Sequence, residues 1–480
     1  MPTTITIDPV TRIEGHLEIE VTVDTVGGEQ QVVAAKSAGT MFRGFEIILA
    51  GRDPRDAAQY TQRICGVCPV SHAMASCLTL DNAFGVTPPD NGRVLRNLVL
   101  GANFIQSHLL HFYHLSALDF IDTTGLLDMS PWTPRFVTPD MATGSVAADL
   151  VSHYVTALHM RRKAHQMGAL FGGKLPCTGS FVVGGMTEVV TAEKIAAFRS
   201  LLSELRSFID NVYVADASAL ATLFLSYYQL GVGPGNLLAF GVFDLNGSGK
   251  LFPSGRYADG APGAFDPAEI TEHVKHAWYT PASGNKHPAV GVTEPDADKA
   301  GAYSWLKAPR YASAPYELGP LARMWISGDY THGISALDRI VARALETKKI
   351  ADAMDGWLNE LVQGAPSYAT SDIPQQATSV GLTEAPRGGL GHWMDVNNSV
   401  ITRYQVITPT NWNSSPQDDT DQMGPTEAAL IGVPVADLDQ PVEVVRVVHS
   451  FDPCLACAVH MVRPNERAAR SKVLIRPSVG

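Results

Sequence analysis

Cysteine is scarce in this chain, with six residues in 480. A disulfide scaffold is therefore excluded, because such scaffolds are short and cysteine-dense. Long apolar runs are missing too. No stretch approaches the roughly 18 residues that a membrane-crossing helix needs. The start, MPTTITIDPVTRIEG, has neither a basic n-region nor an apolar h-region, so it does not read as a secretory signal. Secretion would need a partner's signal. There is no basic excess. The formal net charge is −12, which argues against nucleic acid or an anionic membrane surface as the main partner. No nucleotide motif holds. GVGPGNLLAFG breaks the dinucleotide pattern with Pro234, and NGSGKL lacks both the upstream Gly and the following Ser/Thr of a phosphate loop. No internal repeat or low-complexity linker divides the chain.

What is present is ample apolar material, 45% of residues, and several long helical patterns. Residues 3–37 alternate as antiparallel strands, with VGGEQ as a turn. Helices are expected over 53–84, with a break at a Gly-containing Cys pair, and over 91–121, 146–171, 191–230 and 318–363. The 91–121 stretch is apolar on nearly every face and should be buried on several sides. Residues 231–316 are rich in Gly, Pro, Asp and Tyr and read as an irregular insertion with short strands, on the surface or at a subunit contact. Mixed strand and loop follows over 366–416, a short helix over 424–439, and a strand or helix over 441–450. The expected fold is α+β and mainly helical: one long-helix bundle core with small peripheral antiparallel sheets.

Four of the six cysteines form two pairs, Cys65/Cys68 in RICGVC and Cys454/Cys457 in DPCLACAVH. Two-residue spacing is a metal-ligand or redox pattern. The long separation does not forbid a shared site, since loop-closure entropy grows slowly with length. Four thiolates suit a soft or borderline metal, and zinc is the common structural answer. The neighbours favour chemistry over structure. Arg63, His72, Asp452 and His460 flank the pairs. EAPRGGLGHW sets Arg387 between a proline and two glycines, where five fixed donors suit a strongly accepting ligand. RIEGH adds Glu14. His108, His111 and His114 recur three apart and fan across a helix face; hydrogen bonding to backbone or carboxylate is the favoured reading over metal ligation.

Together, RIEGH, RICGVCPVSH, HFYHLSALD, EAPRGGLGHW, ITPTNWNSSP and DPCLACAVH, in that order along the full chain, resemble the large subunit of nickel–iron hydrogenases. NFIQSHLLHFYHLSALD leans toward the branch that includes selenium-containing members, with Cys454 where those carry selenocysteine. The resemblance implies reversible heterolytic cleavage of H2. It implies Cys65 and Cys454 as terminal nickel ligands, and Cys68 and Cys457 as bridges to an iron that carries carbon monoxide and cyanide. Arg387 and Thr410 would donate to cyanide in a pocket with Pro386 and Pro409. His72 would donate to a ligand sulfur, and Asp452 would pair with an arginine near the nickel. Cys454 would take the proton and Glu14 would pass it on; Val67 and Leu115 would line the gas access. Glu46, the Val406 carbonyl and His460 would hold magnesium (or iron).

The same resemblance implies iron–sulfur clusters in a small-subunit partner, because Cys77 and Cys177 cannot hold one alone. A maturation peptidase and nickel-insertion proteins are further expected partners. The expected organisation is one catalytic domain, 1–460, and a C-terminal peptide, 461–480, that is removed. Cys177 stands where the family commonly has histidine and is expected to be a small core residue. A periplasmic or membrane-associated location through the small subunit is favoured over a cytoplasmic one. The alternatives are a homologous subunit of the respiratory complex I type, which lacks the four cysteines, and a zinc-bound scaffold.

Overall fold

The computed structural model describes residues 2–130, 132–133 and 135–458, without the side chains of Cys457 and Ala458. The Cys457 thiol, the His460 ring and the segment 461–480 lie outside the described residues.

The N-terminal sheet follows from strict alternation. In Leu17–Val26 the side chains of Leu17, Ile19, Val21 and Val23 are buried, and the polar residues between them are not. Thr3–Ile7 and Glu29–Gly39 pair antiparallel on either side of it. The central helix, Asp90–Leu109, is buried along almost its whole length. Gly144–Gly172 and Ala336–Glu360 pack against it and complete the bundle core.

Several expected helices end early or change pitch. The 91–121 pattern is α-helical only to Leu109, then widens into a π-helical stretch, Leu110–Ser116. A similar π-helical stretch, Ile209–Tyr213, interrupts the 191–230 pattern. Hydrophobic periodicity does not separate these pitches, because stretches of seven and five residues are too short to show a change of period. The 318–363 pattern splits into Pro320–Ile326 and Ala336–Glu360. Gly328 at φ 78° ends the first, and the Ser335 side chain caps the second by accepting from the Asp338 N–H. The 424–439 helix covers only Pro425–Leu430, and Val442–Ser450 is helix rather than strand.

The insertion is less peripheral than its composition suggests. It contributes Leu238, Phe240, Ile270 and Tyr311 to a second apolar cluster with Trp393 and Trp412. That cluster backs a three-stranded antiparallel sheet, Gln376–Ala385, Gly388–Asn397 and Val400–Ile407. Ala385 pairs directly with Gly388, so Pro386 and Arg387 form the entire turn between two strands.

A buried ion network fixes this turn. Arg323 donates to Glu346 at 2.5 and 2.8 Å and to Glu384 at 2.6 Å. Its remaining N–H groups reach the carbonyls of Ala385 at 3.1 Å and Pro386 at 2.8 Å. His108 closes the network on Glu346 at 2.8 Å. All three charged side chains are fully buried, so satisfied geometry is what makes the arrangement tolerable. Arg323→Met should strand two buried carboxylates. The expected loss is about 3–5 kcal/mol, read as a lower thermal midpoint. An unchanged midpoint would show that the network adds nothing to stability.

Candidate metal centre

Three of the paired cysteines converge. The sulfurs of Cys65, Cys68 and Cys454 all lie within 4.8 Å of one another and are buried. Cys65 and Cys454 stand 3.3 Å apart, well beyond the ~2.05 Å of a disulfide. Each element delivers its ligand for a local reason. Cys65 ends a 3-10 turn, Thr61–Ile64, in extended backbone. Cys68 precedes Pro69, which opens the helix Pro69–Phe84 with the fixed φ that suits a first turn. The N–H groups of Val67 and Cys68 donate to the Cys65 sulfur at 3.3 and 3.2 Å, which favours its thiolate.

Cys454 arrives from the other end of the chain. It forms a parallel bridge with Glu14, and the Leu455 N–H donates to the Glu14 carbonyl at 2.6 Å. Gly15 makes this approach possible. It holds φ at 84°, and a Cβ there would stand 2.4 Å from the Ala456 nitrogen. The Cys454 N–H donates to the Thr410 hydroxyl at 3.0 Å.

Arg387 reaches this cluster from its hairpin turn. Its Nε donates to the Asp452 carbonyl and its Nη2 to the Asp452 carboxylate, each at 2.9 Å. Nη1 donates to Ser107 at 3.3 Å. Of five N–H groups, two stay uncommitted among the described residues. Burial opposes the Arg387 charge, but Asp452 and the thiols of Cys454, Cys68 and Cys65 hold it strongly protonated. Burial likewise opposes ionisation of Asp452, and Arg387 overrides it, holding that carboxyl below its ordinary value. Pro386 and Pro409 are both buried beside these elements.

Glu14 is half-buried. Burial and the Cys65 thiol push its carboxyl above the usual carboxylate range, against the pull of Arg387 and the Gly66 N–H. His72 lies on the helix after Cys68, and its Nδ1 is 3.2 Å from Nε2 of His392. The Val67 carbonyl accepts from Asn103 at 3.1 Å and Gln106 at 2.9 Å. Leu115 sits in the π-helical stretch, where its carbonyl accepts from Arg12 at 2.8 Å. Arg63 is exposed and bonds back to the Gln59 carbonyl at 2.7 Å.

Glu46 and Val406 meet as well. Glu46 accepts from the Val406 N–H at 2.9 Å and from the Thr293 hydroxyl. Val400–Ile407 is an edge strand, and in an antiparallel strand a residue's N–H and C=O leave on one side, so the Val406 carbonyl faces the same edge. Sequence reasoning missed its surroundings. Lys307, buried, donates to Glu272 at 3.2 Å, to the Val292 carbonyl at 3.0 Å and to Gln405 at 3.4 Å. Only the unusual sequence "SWLKAPRY", a lysine inside an apolar stretch, hinted at it. Cys177 is half-buried rather than in the core; its sulfur faces the Gln62 carbonyl at 3.9 Å, in the Gly- and Pro-rich loop after Gly172. Cys77 is buried away from the cluster, and burial pushes its thiol up to about 12.

The three histidines do not gather around a metal. His108 bonds Glu346 at 2.8 Å, His111 the His449 carbonyl at 2.6 Å, and His114 the Tyr154 carbonyl at 3.2 Å. Burial holds them neutral, His108 and His114 down to about 4 and His111 to about 3. An unfolded histidine takes its proton near pH ~6.5. Between there and pH 4 the unfolded chain binds protons that these folded histidines refuse. Their stability contribution is thus complete above the unfolded value and is lost as pH falls toward 4. Thermal midpoints should drop across that window, and His114→Gln should flatten the slope. A pH-independent midpoint from 6.5 to 4.5 would contradict this.

Comparison with known proteins agrees with this geometry. The sequence pattern of the nickel-dependent hydrogenase family matches residues 43–143 and 128–460, and a HoxL-like pattern matches 4–33. The periplasmic [NiFeSe] hydrogenase large subunit of Desulfomicrobium baculatum is 43% identical, covering 95% of each chain. The hydrogenase-2 large chain of Escherichia coli K12 is 32% identical, covering 95% of this chain and 97% of its own. Among solved structures, the oxidized Ni-Fe-Se hydrogenase of D. vulgaris Hildenborough superposes with a TM-score of 0.92 at 43% identity, covering 96% of this chain and 100% of that one.

Proposed function

We infer the chemistry of the thiol cluster from one premise: the chain belongs to the nickel-dependent hydrogenase family, as a catalytic large subunit with nickel and iron at its active site. Large subunits of this kind work with a small-subunit partner. The observation that carries the residue-level reading is the meeting of three buried thiols, drawn from both ends of the chain, beside one buried guanidinium.

The donor set fits the metals. Soft sulfur donors suit nickel and iron, and the two uncommitted N–H groups of Arg387 suit an accepting ligand on the iron. In this reading Cys65 and Cys454 would hold the nickel, and Cys68 and Cys457 would be shared between nickel and iron. Arg387 and the Thr410 hydroxyl would donate to carbon monoxide and cyanide carried by the iron, with Pro386 and Pro409 as apolar walls. His72 supports a ligand sulfur. The chemistry a bound nickel–iron centre supplies is the heterolytic splitting of H2 and the uptake of its electrons.

The chain's own residues handle the proton and the gas. Cys454 takes the proton at its sulfur. Glu14 receives it, because its backbone is knit to Cys454, and burial and the Cys65 thiol raise the proton affinity of its carboxyl. Asp452 fixes the guanidinium plane of Arg387, which stays charged and orients rather than titrates. Val67 and Leu115 line the gas route. Electrons leave to iron–sulfur clusters in the small subunit. Glu46, the Val406 carbonyl and His460 hold a hard cation, magnesium or iron, since carboxylate and carbonyl oxygens suit one. The chain works at the periplasmic side, as one relative's name states for that protein; activity found only in the cytoplasmic fraction would overturn that location.

Metal analysis of the heterodimer tests the centre, with nickel and iron in comparable amounts expected against zinc for a scaffold. Glu14→Gln should keep both metals while H2/D2 exchange and H2 oxidation fall by orders of magnitude. Wild-type turnover in that variant would remove Glu14 from the proton route. We also propose that 461–480 is cut off after nickel loading by a maturation peptidase that follows the nickel-insertion proteins. This tail has five basic residues and one acidic, and little apolar period. Intact-mass measurement should find active chains that end at His460; active, nickel-loaded chains that end at Gly480 would refute the cut.

A further inference from the structure

Seven arginines are buried among the described residues. Six of them have a carboxylate oxygen within 2.9 Å. Arg343 is the exception. It is 1% exposed and has no ion-pair partner among the described residues. Nη1 donates to the Arg339 carbonyl at 3.2 Å and Nη2 to the Ser450 carbonyl at 3.3 Å. Its Nε has no hydrogen-bond partner. An isolated buried charge is strongly unfavourable unless other charges offset it.

The offset lies toward the thiol cluster. Arg339 and Arg343 stand one helical turn apart and both grip Ser450, Arg339 through its hydroxyl at 3.3 Å. Arg339 is neutralised by two hydrogen bonds to Glu317, at 2.8 and 2.7 Å. Arg343 is not. Ser450 precedes Asp452 by two residues and Cys454 by four. Asp452 is the carboxylate that stabilises the Arg343 charge most, ahead of Glu346, and Arg387 already holds Asp452 in direct contact. Glu346 is itself committed to Arg323 and His108. One carboxylate, Asp452, therefore stands between two buried guanidiniums at the edge of the thiol cluster. Charges act over longer distances in such an interior than in water.

We propose that Arg343 is a field-setting residue for the thiol-held centre: its unpaired guanidinium keeps a fixed positive charge behind Asp452 and Cys454 and raises the reduction potential of the metals held there. The proposal rests on the nickel–iron reading of the thiol cluster. It assigns Arg343 no contact with substrate. Its role is electrostatic and separate from the grip on Ser450.

Redox titration of the nickel in the purified large–small heterodimer, followed by infrared or paramagnetic resonance signals, tests it. Arg343→Met should shift the midpoint to more negative potential, with nickel and iron content unchanged. Arg343→Gln should shift it equally, although its amide can still donate to the Ser450 carbonyl. Wild-type midpoints in both variants would overturn the proposal. A wild-type midpoint in the glutamine variant alone would also overturn it, because the hydrogen bond and not the charge would then matter. If neither neutral variant loads nickel, Arg343→Lys decides. A nickel-loaded lysine enzyme with the wild-type midpoint supports the proposal; a shifted midpoint or an empty site defeats it. Zinc without nickel in the wild-type enzyme is a different failure, that of the nickel–iron reading itself.

Discussion

The Arg387–Asp452 pair joins the two halves of the site. One partner sits in a two-residue turn of the C-terminal sheet, the other just before Cys454. Both are buried, so each is tolerable only because the other is there. That dependence spreads outward. The turn must present Arg387 at one angle, and Arg323 fixes that angle by holding the Ala385 and Pro386 carbonyls. Arg323 in turn needs Glu346 and Glu384, and Glu346 is shared with His108 on the central helix. A chain of buried polar groups thus runs from the bundle core to the sulfur cluster. Each link is satisfied by the next, and no link is cheap to remove.

How much of this could be read from the sequence depended on the kind of signal. The strand alternation in LEIEVTV and the apolar helix at 91–109 were legible, because burial imposes a period on residue type. The π-helical stretches were not, since pitch is set by how neighbouring helices press on the segment. The cysteines and Arg387 stood out because rare residues in short, patterned motifs carry chemistry. Arg323, Glu346, Glu384 and Lys307 did not stand out. A buried Arg or Glu looks like a surface one until its partner is known, and these side-chain partners are 23 to 238 residues apart. The Glu384–Arg387 stretch shows both cases in one motif: Arg387 was legible beside its glycines, while Glu384, three residues earlier, was not.

The two glycines after Arg387 show how a correct residue can have a different reason. Glycines beside a ligand-facing arginine suggest close approach of backbone to the ligand. Instead Gly388 packs on Leu318 and Gly319, and Gly389 on Leu318 and Phe240. They bring the sheet against the segment that leads into the Arg323 helix. Close packing there serves the same end, because it sets the distance over which Arg323 can reach the turn.

The far end of the site follows another logic. Cys454 belongs to the last described segment, where Phe451 and Leu455 are buried in the main apolar cluster and polar contacts reach it from the Glu14 backbone, the Thr410 hydroxyl, Arg387, Arg339 and Arg343. Hydrophobic burial alone would seat it loosely, since apolar contact has no direction. Hydrogen bonds from fixed arginines are directional, and they act on the Ser450 and Asp452 carbonyls, the Ser450 hydroxyl and the Asp452 carboxylate, just upstream of the thiol. A segment that must place one sulfur within reach of two others from the far end of the chain needs such direction. Three arginines on two different elements provide it, and Arg387 among them also brings positive charge beside the thiols.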